Sequence, residues 1–134
     1  DQVWTDYFAH WCEAARSGLF DVMAHPDLVK KFGHRPSFDA RELYSEAALA
    51  AADGGVAIEA SSAGLRRPVG EIYPGPELLA AFQAAGVDAT AASDAHDPGE
   101  VGTGIEDVYR ALAAAGYRRV AFPLSSREMR YIEL

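Results

Sequence analysis

Four amphipathic helical patterns alternate with four short apolar runs, and this alternation restricts the fold of the chain more than any other feature. Each helical pattern is followed within two residues by a glycine, a common end of a helix; the patterns cover residues 5–17, 39–52, 76–85 and 105–115. The apolar runs follow the helices in turn, at residues 20–25, 56–61, 87–93 and 119–124. Runs of this length suit strands buried on both faces of a parallel sheet. The order predicts an α/β fold of about four helix–strand units with right-handed crossovers.

Composition and charge exclude several classes of protein. The 134 residues suffice for one domain, and 49% hydrophobic with 24% charged residues is typical of a globular chain. No apolar stretch approaches the roughly 20 residues of a membrane span. A formal net charge of −8 opposes the phosphate backbone, so we expect no binding of long nucleic acids. The single cysteine, Cys12, excludes an internal disulfide, and the absence of a leader pattern adds to the expectation of a cytoplasmic protein.

Candidate metal ligands stand where two of the predicted strands end. His25 ends the first run, because Pro26 cannot continue a central strand. Asp94 and His96 follow the third run and lie two residues apart, so in an extended chain both side chains point to the same side. Carboxylate oxygen and imidazole nitrogen are ligands of zinc, manganese and iron. Ligands bind at the carboxyl ends of parallel strands. Taken alone, each of these signals also fits a structural histidine or a chance Asp-x-His triplet.

Glu59 is a carboxylate inside the second apolar run, which ends at Ser61. A buried carboxylate needs a compensating partner, so Glu59 either pairs structurally or faces the site. The stretch that follows, residues 62–75, is too long for a simple connection and is a candidate functional loop.

Cations that could bind an anion occur in two places. The loop carries Arg66 and Arg67, and arginine suits phosphate because its fork donates two parallel hydrogen bonds. Proximity to the strand end favours Arg66 as the inward residue, and Arg67 is expected to be solvated. Lys30 and Lys31 follow His25 closely and would act as point charges, although such lysines are commonly solvated.

Three segments in order resemble motifs of the polymerase-and-histidinol-phosphatase (PHP) family. Residues 21–31, Asp-Val-Met-Ala-His-Pro-Asp-Leu-Val-Lys-Lys, look like its histidine–proline motif. Residues 57–74, which contain Ala-Gly-Leu-Arg-Arg-Pro, are similar to a segment of the histidinol-phosphatase branch. Residues 93–96, Ser-Asp-Ala-His, resemble the last metal motif. The resemblance spans residues 25–102.

The resemblance implies a distorted, TIM-like β/α barrel that holds a cluster of divalent metals (Zn, Mn or Fe). It implies hydrolysis of a small phosphate monoester, foremost L-histidinol phosphate in histidine biosynthesis, by a metal-activated water. The residue roles that it implies are metal ligation by His25, Asp94 and His96, and phosphate binding by Arg66, Lys30 and Lys31. From their positions in the second apolar run, Glu59 and Ser61 are candidates to support these ligands from behind.

The chain lacks the His-x-His pair and the other early ligands with which the family's metal site begins. Residues 1–134 are therefore expected to form a single partial domain, the C-terminal half, with an incomplete metal cluster. The missing N-terminal half, or another copy of the chain, is the expected partner that covers the open sheet. Two alternatives remain: a PHP-type phosphoesterase acting on nucleotides or short oligonucleotides, and a non-catalytic, truncated module for assembly or metal binding.

Overall fold

A parallel three-stranded sheet and four α-helices form most of the protein in the computed structural model, which describes residues 1–125 and 128–134. The helices are α1 (Gln2–Arg16), α2 (Arg41–Gly54), α3 (Pro76–Ala84) and α4 (Ile105–Ala114). The strands are β1 (Val22–Met23), β2 (Ala57–Ser61), β3 (Ala89–Ala92), β4 (Arg119–Ser125) and β5 (Glu128–Glu133). The sheet has the order β1-β2-β3, with all neighbours parallel. The predicted mixed α/β class is confirmed.

The core forms where α1, α2 and α3 pack together. One face of α1 buries Trp4, Phe8, Trp11 and Ala15, at helical spacing. Burial of each large side chain contributes about 1.5–3 kcal/mol. The facing surface of α2 is mainly alanine, so the two helices approach closely. At Gly54 an added Cβ would lie 2.0 Å from the carbonyl oxygen of Ala15, which explains why glycine stands there.

The first two helices begin at residues other than those predicted. α1 starts at Gln2 and not at Thr5, because Trp4 already belongs to the buried face of the helix. α2 starts at Arg41, two residues after the expected start, and continues to Gly54. Its end is set by Gly55, whose φ of +63° is the left-handed conformation that glycine adopts without strain. No helix of the described residues is long and apolar enough to cross a membrane.

The fourth helix–strand unit departs from the prediction of one parallel sheet. β4 contacts β3, but its ladder partner is β5, to which it is antiparallel. β5 was not predicted, although residues 128–131 alternate between polar and apolar types, the pattern of a half-exposed strand. β1 is also shorter than the predicted run of residues 20–25, since it lies at the edge of the sheet and pairs only with β2. The described strands thus form two small sheets and do not close a barrel.

Candidate functional site

A cleft of about 220 Å³ lies at the carboxyl ends of the parallel strands. It is lined by residues that follow all three strands: His25, Leu28, Lys31, Ala63, Arg67, Tyr73, Asp94 and His96. The three residues singled out as metal ligands therefore lie in one place, together with two cations. This is the edge of the sheet at which parallel α/β proteins bind their ligands.

His25 and Asp94 share an unusual backbone conformation. Their φ angles are +52° and +48°, and they are the two non-glycine residues with positive φ in the described part of the chain. Such a conformation costs on the order of 1–3 kcal/mol and persists where the surrounding structure holds it, which is often at functional sites. It directs both side chains into the same cleft, with 4.0 Å between His25 Nε2 and Asp94 Oδ2.

Side chains of α1 hold the end of β1. The Tyr7 hydroxyl donates a hydrogen bond to the carbonyl oxygen of His25. Trp11 Nε1 donates to the carbonyl of Ala24 at 3.3 Å. Since β1 ends at Met23, these carbonyls have left the strand ladder and need other donors. Side chains of α1 thus hold the backbone at His25.

Glu59 contacts His25 on the edge of the ring that faces away from Asp94. Its Oε2 lies 3.2 Å from His25 Nδ1 and accepts a hydrogen bond from the backbone N–H of His25 at 3.4 Å. The ring contact is not aligned as a linear hydrogen bond and is an ion-pair contact. The Glu59 contact raises the pKa of His25, while burial works in the opposite direction. A carboxylate behind a histidine, with Nε2 left free, is common in metal sites.

His96 lies at the rim of the cleft with its side chain 70% exposed. Its Nδ1 is 3.0 Å from the carbonyl oxygen of Asp94 and 3.9 Å from the Asp94 carboxylate, so the ring is turned toward the backbone. The described residues contain no group of three or more His, Cys, Asp or Glu side chains that could hold a metal ion as they stand.

The fit to a divalent ion is therefore partial. His25 Nε2 and Asp94 Oδ2 offer two suitable donor atoms, although 4.0 Å exceeds the separation of about 3.4 Å that tetrahedral ligands at about 2.1 Å would have. Binding would draw them together and would require His96 to rotate before it could serve as a third ligand.

Lys30 does not reach the cleft. Its side chain is only 1% exposed, and its ammonium group lies 2.8 Å from the Asp27 carboxylate and 3.0 Å from that of Glu71. It also donates to the carbonyl of Ile72 at 3.0 Å. These three partners match its three hydrogens, so no donor is left for the phosphate role that the sequence suggested. The neighbouring Lys31 is partly exposed and does line the cleft.

The two loop arginines differ from the expected arrangement in which of them lines the cleft. Arg66 Nη2 donates to the carbonyls of residues 93 and 94, and the Arg66 side chain is absent from the cleft lining. Arg67, expected to be solvated, is exposed and lines the cleft. The reason is local: residues Ser62–Arg66 form a short 3-10 helix, so the alternation of the strand does not continue into the loop.

Ser61 is fully buried at the start of this loop. Its hydroxyl accepts a hydrogen bond from the N–H of Ala63 at 3.2 Å and thus caps the short helix. Its backbone pairs with Tyr73, a cleft residue that sequence reasoning missed. The signal for Tyr73 was weak, because it lies in an irregular segment twelve residues after β2. Ser61 itself does not line the cleft, and its contacts organise the loop.

Comparison with known proteins gives one curated relative and no matching family model. The relative comes from Deinococcus radiodurans and is named a probable histidinol-phosphatase. It is 43% identical to this chain over 121 residues, which are 90% of the chain and 45% of the relative. The chain therefore spans about half the length of the curated relative that it matches.

Proposed function

We propose that this chain is part of a metal-dependent phosphoesterase of the PHP family that hydrolyses a phosphate monoester. The observation that carries the proposal is the cleft, in which His25 and Asp94 are both held in strained conformations beside Lys31 and Arg67. Potential metal ligands and phosphate-binding cations thus share one site. The name of the relative supports a phosphatase.

In this proposal a divalent ion is held by His25 Nε2 and Asp94 Oδ2. His96 joins them as a third ligand after its ring rotates. A Zn, Mn or Fe ion held by these residues would supply positive charge at the site and would activate a water for hydrolysis. Glu59 orients the imidazole of His25 through the Nδ1 contact. Further ligands of a metal cluster come from the part of the protein that this chain does not contain, either an N-terminal half or another copy.

Lys31 and Arg67 are the proposed phosphate contacts. Both line the cleft, and neither is tied to a buried carboxylate as Lys30 is. An arginine fork can bind two phosphate oxygens at once, and the lysine adds a point charge. Together they would stabilise negative charge that develops on the oxygens during hydrolysis.

L-histidinol phosphate is the proposed substrate, which would place the protein in histidine biosynthesis in the cytoplasm. The relative's name and the volume of the cleft, about 220 Å³, favour a small phosphorylated molecule. The net charge of −8 disfavours long nucleic acids.

The test is phosphate release by the complete protein that contains this chain, assayed with Mn²⁺ on L-histidinol phosphate and on a panel of nucleotides. We expect turnover of histidinol phosphate, and a fall in kcat/KM on the order of 100-fold or more for His25→Ala and Asp94→Asn. His34→Ala, which changes an exposed histidine outside the cleft, should retain full activity. Brisk turnover of another phosphoester alone would refute the substrate, and an active His25→Ala variant would refute the site.

A further inference from the structure

Arg66 and Glu100 together hold the segment that carries Asp94 and His96. Arg66 Nη2 donates to the carbonyl oxygens of residues 93 and 94 at 2.7 and 3.1 Å. Glu100 Oε2 accepts a hydrogen bond from the backbone N–H of His96 at 3.0 Å. Arg66 Nε lies 3.3 Å from Glu100 Oε1, so one ion pair connects the backbone on both sides of the Asp-Ala-His triplet.

The hydrogen bonds of Arg66 depend on the conformation of Asp94. In an extended strand, successive carbonyl groups point in opposite directions and could not both meet one nitrogen. At Asp94 the φ of +48° breaks the extended geometry, and the carbonyls of residues 93 and 94 converge on the guanidinium. The same bonds offset the cost of the left-handed conformation, because they satisfy two carbonyls beyond the end of β3.

We propose that Arg66 and Glu100 form a positioning pair that sets the affinity of the metal site through Asp94 and His96. This inference rests on the metal site of the proposed function. It replaces a direct role of Arg66 on phosphate, because the Arg66 side chain is only 20% exposed and does not line the cleft. A rigid side-chain anchor holds a ligand more accurately than a free loop does, and support of this kind contributes 10–100-fold to metal affinity in other sites.

The loop beyond the triplet is anchored to the same short helix that carries Arg66. The Ser62 hydroxyl donates to the carbonyl of Thr103 at 2.5 Å, and the Ser93 hydroxyl accepts from the N–H of Gly102 at 3.2 Å. A Cβ on Gly104 would lie 3.0 Å from the Cβ of Ser62, so the approach is close. The 3-10 helix Ser62–Arg66 is thus the platform from which the end of β3 is positioned.

The experiment measures Mn²⁺ affinity of the complete protein from the electron paramagnetic resonance signal of free Mn²⁺. We expect Arg66→Ala to raise the Mn²⁺ Kd about 10- to 100-fold. The Mn²⁺ Kd of Arg66→Lys should lie between those of wild type and Arg66→Ala, since an ammonium cannot bind both carbonyls and Glu100 in the same geometry. Glu100→Gln keeps an acceptor for the N–H of His96 and should raise the Mn²⁺ Kd only a few-fold. The matched control is Arg67→Ala, expected to raise KM for the phosphoester and to leave the Mn²⁺ Kd unchanged.

The double variant tests whether the two residues act as a pair. If they do, Arg66→Ala combined with Glu100→Gln binds Mn²⁺ no more weakly than Arg66→Ala alone, whereas independent effects would multiply and refute the pair. An unchanged Kd in Arg66→Ala, or a rise confined to KM, would overturn the inference. If Arg66→Ala does not fold, the Kd values of Arg66→Lys and Glu100→Gln decide in its place. His25→Ala separates the two proposals, because a Mn²⁺ Kd equal to that of the wild type in this variant would refute the metal site of the proposed function itself.

Discussion

Replacement of Lys30 by methionine is expected to destabilise the protein by about 3–5 kcal/mol, because it leaves a buried carboxylate without its cation. Asp27 is 2% exposed, and Lys30 Nζ lies 2.8 Å from its Oδ2. The other contact of that oxygen is the N–H of Gly75 at 2.7 Å. One neutral hydrogen bond cannot replace the charge compensation that a buried carboxylate requires. Methionine has a similar length, so the packing around residue 30 should change little.

The stability lost in Lys30→Met should depend on pH. Burial raises the pKa of Asp27 above its usual value, and the contacts with Lys30 lower it in part. A folded-state pKa above that of the unfolded chain means that protonated Asp27 favours folding, and this contribution is lost as pH rises through the folded pKa. Without Lys30 the pKa of Asp27 would rise further. The difference in unfolding free energy between wild type and Lys30→Met should therefore be largest at neutral pH and smaller in acid.

Urea denaturation at neutral and acid pH gives these free energies, and two further variants isolate the cause. Lys31→Met, at the adjacent and partly exposed lysine, should change stability by no more than about 0.5 kcal/mol. Asp27→Asn combined with Lys30→Met should recover most of the loss, since asparagine is uncharged and can still accept from Gly75. A loss below about 1 kcal/mol for Lys30→Met, or a double variant no more stable than the single one, would refute buried charge compensation as the role of Lys30.

Two further predictions concern a pH profile and a buried hydroxyl. The Glu59 contact raises the pKa of His25. Because only the neutral imidazole binds a metal, Glu59→Gln should move the midpoint of pH-dependent Mn²⁺ binding to lower pH. Mn²⁺ titrations over a pH series check this, and an upward shift of the midpoint would contradict it. The Tyr73 hydroxyl is buried without a hydrogen-bond partner among the described residues, so Tyr73→Phe should not lower the melting temperature. Tyr117→Phe removes a hydrogen bond of 3.0 Å to a backbone carbonyl and should lower the free energy of unfolding by about 1 kcal/mol. A melting temperature lower for Tyr73→Phe than for Tyr117→Phe would be inconsistent with this reasoning.

The helices and the parallel strands could be predicted because local signals and tertiary packing agree there. Gly55 ends α2 in a left-handed conformation, and the apolar runs at β2 and β3 pair in the middle of the structure. β5 could not be placed in the same way, because its alternating pattern follows a break in the helix–strand order and pairs only with β4. The predicted apolar run of residues 20–25 begins at Phe20, yet Phe20 is exposed and precedes β1, which starts at Val22.

The positions of the cations show where sequence reasoning about the site stops. Lys30 and Lys31 are adjacent and chemically identical, but one is buried in ion pairs and the other lines the cleft. Arg66 and Arg67 differ in the same way, because a 3-10 helix follows β2 and not further strand. Which neighbour faces the site depends on the rotation of a single turn, and composition and spacing do not determine that rotation. The strand-end residues His25 and Asp94 were easier to find, since the ends of parallel strands share one edge.

Each of the two strained residues of the cleft accepts a hydrogen bond on its backbone carbonyl, and the two donors come from different parts of the fold. The carbonyl of His25 accepts from Tyr7 on α1, and the carbonyl of Asp94 accepts from Arg66 after β2. Each donor lies outside the cleft lining, so the backbone conformation of both residues is held without contact to a ligand, and binding has only to draw their side chains together. Because both supports lie within this chain, His25 and Asp94 need no contact from another chain to keep their conformation. In our proposal, the rest of the protein therefore adds ligands to this pair and does not have to shape it.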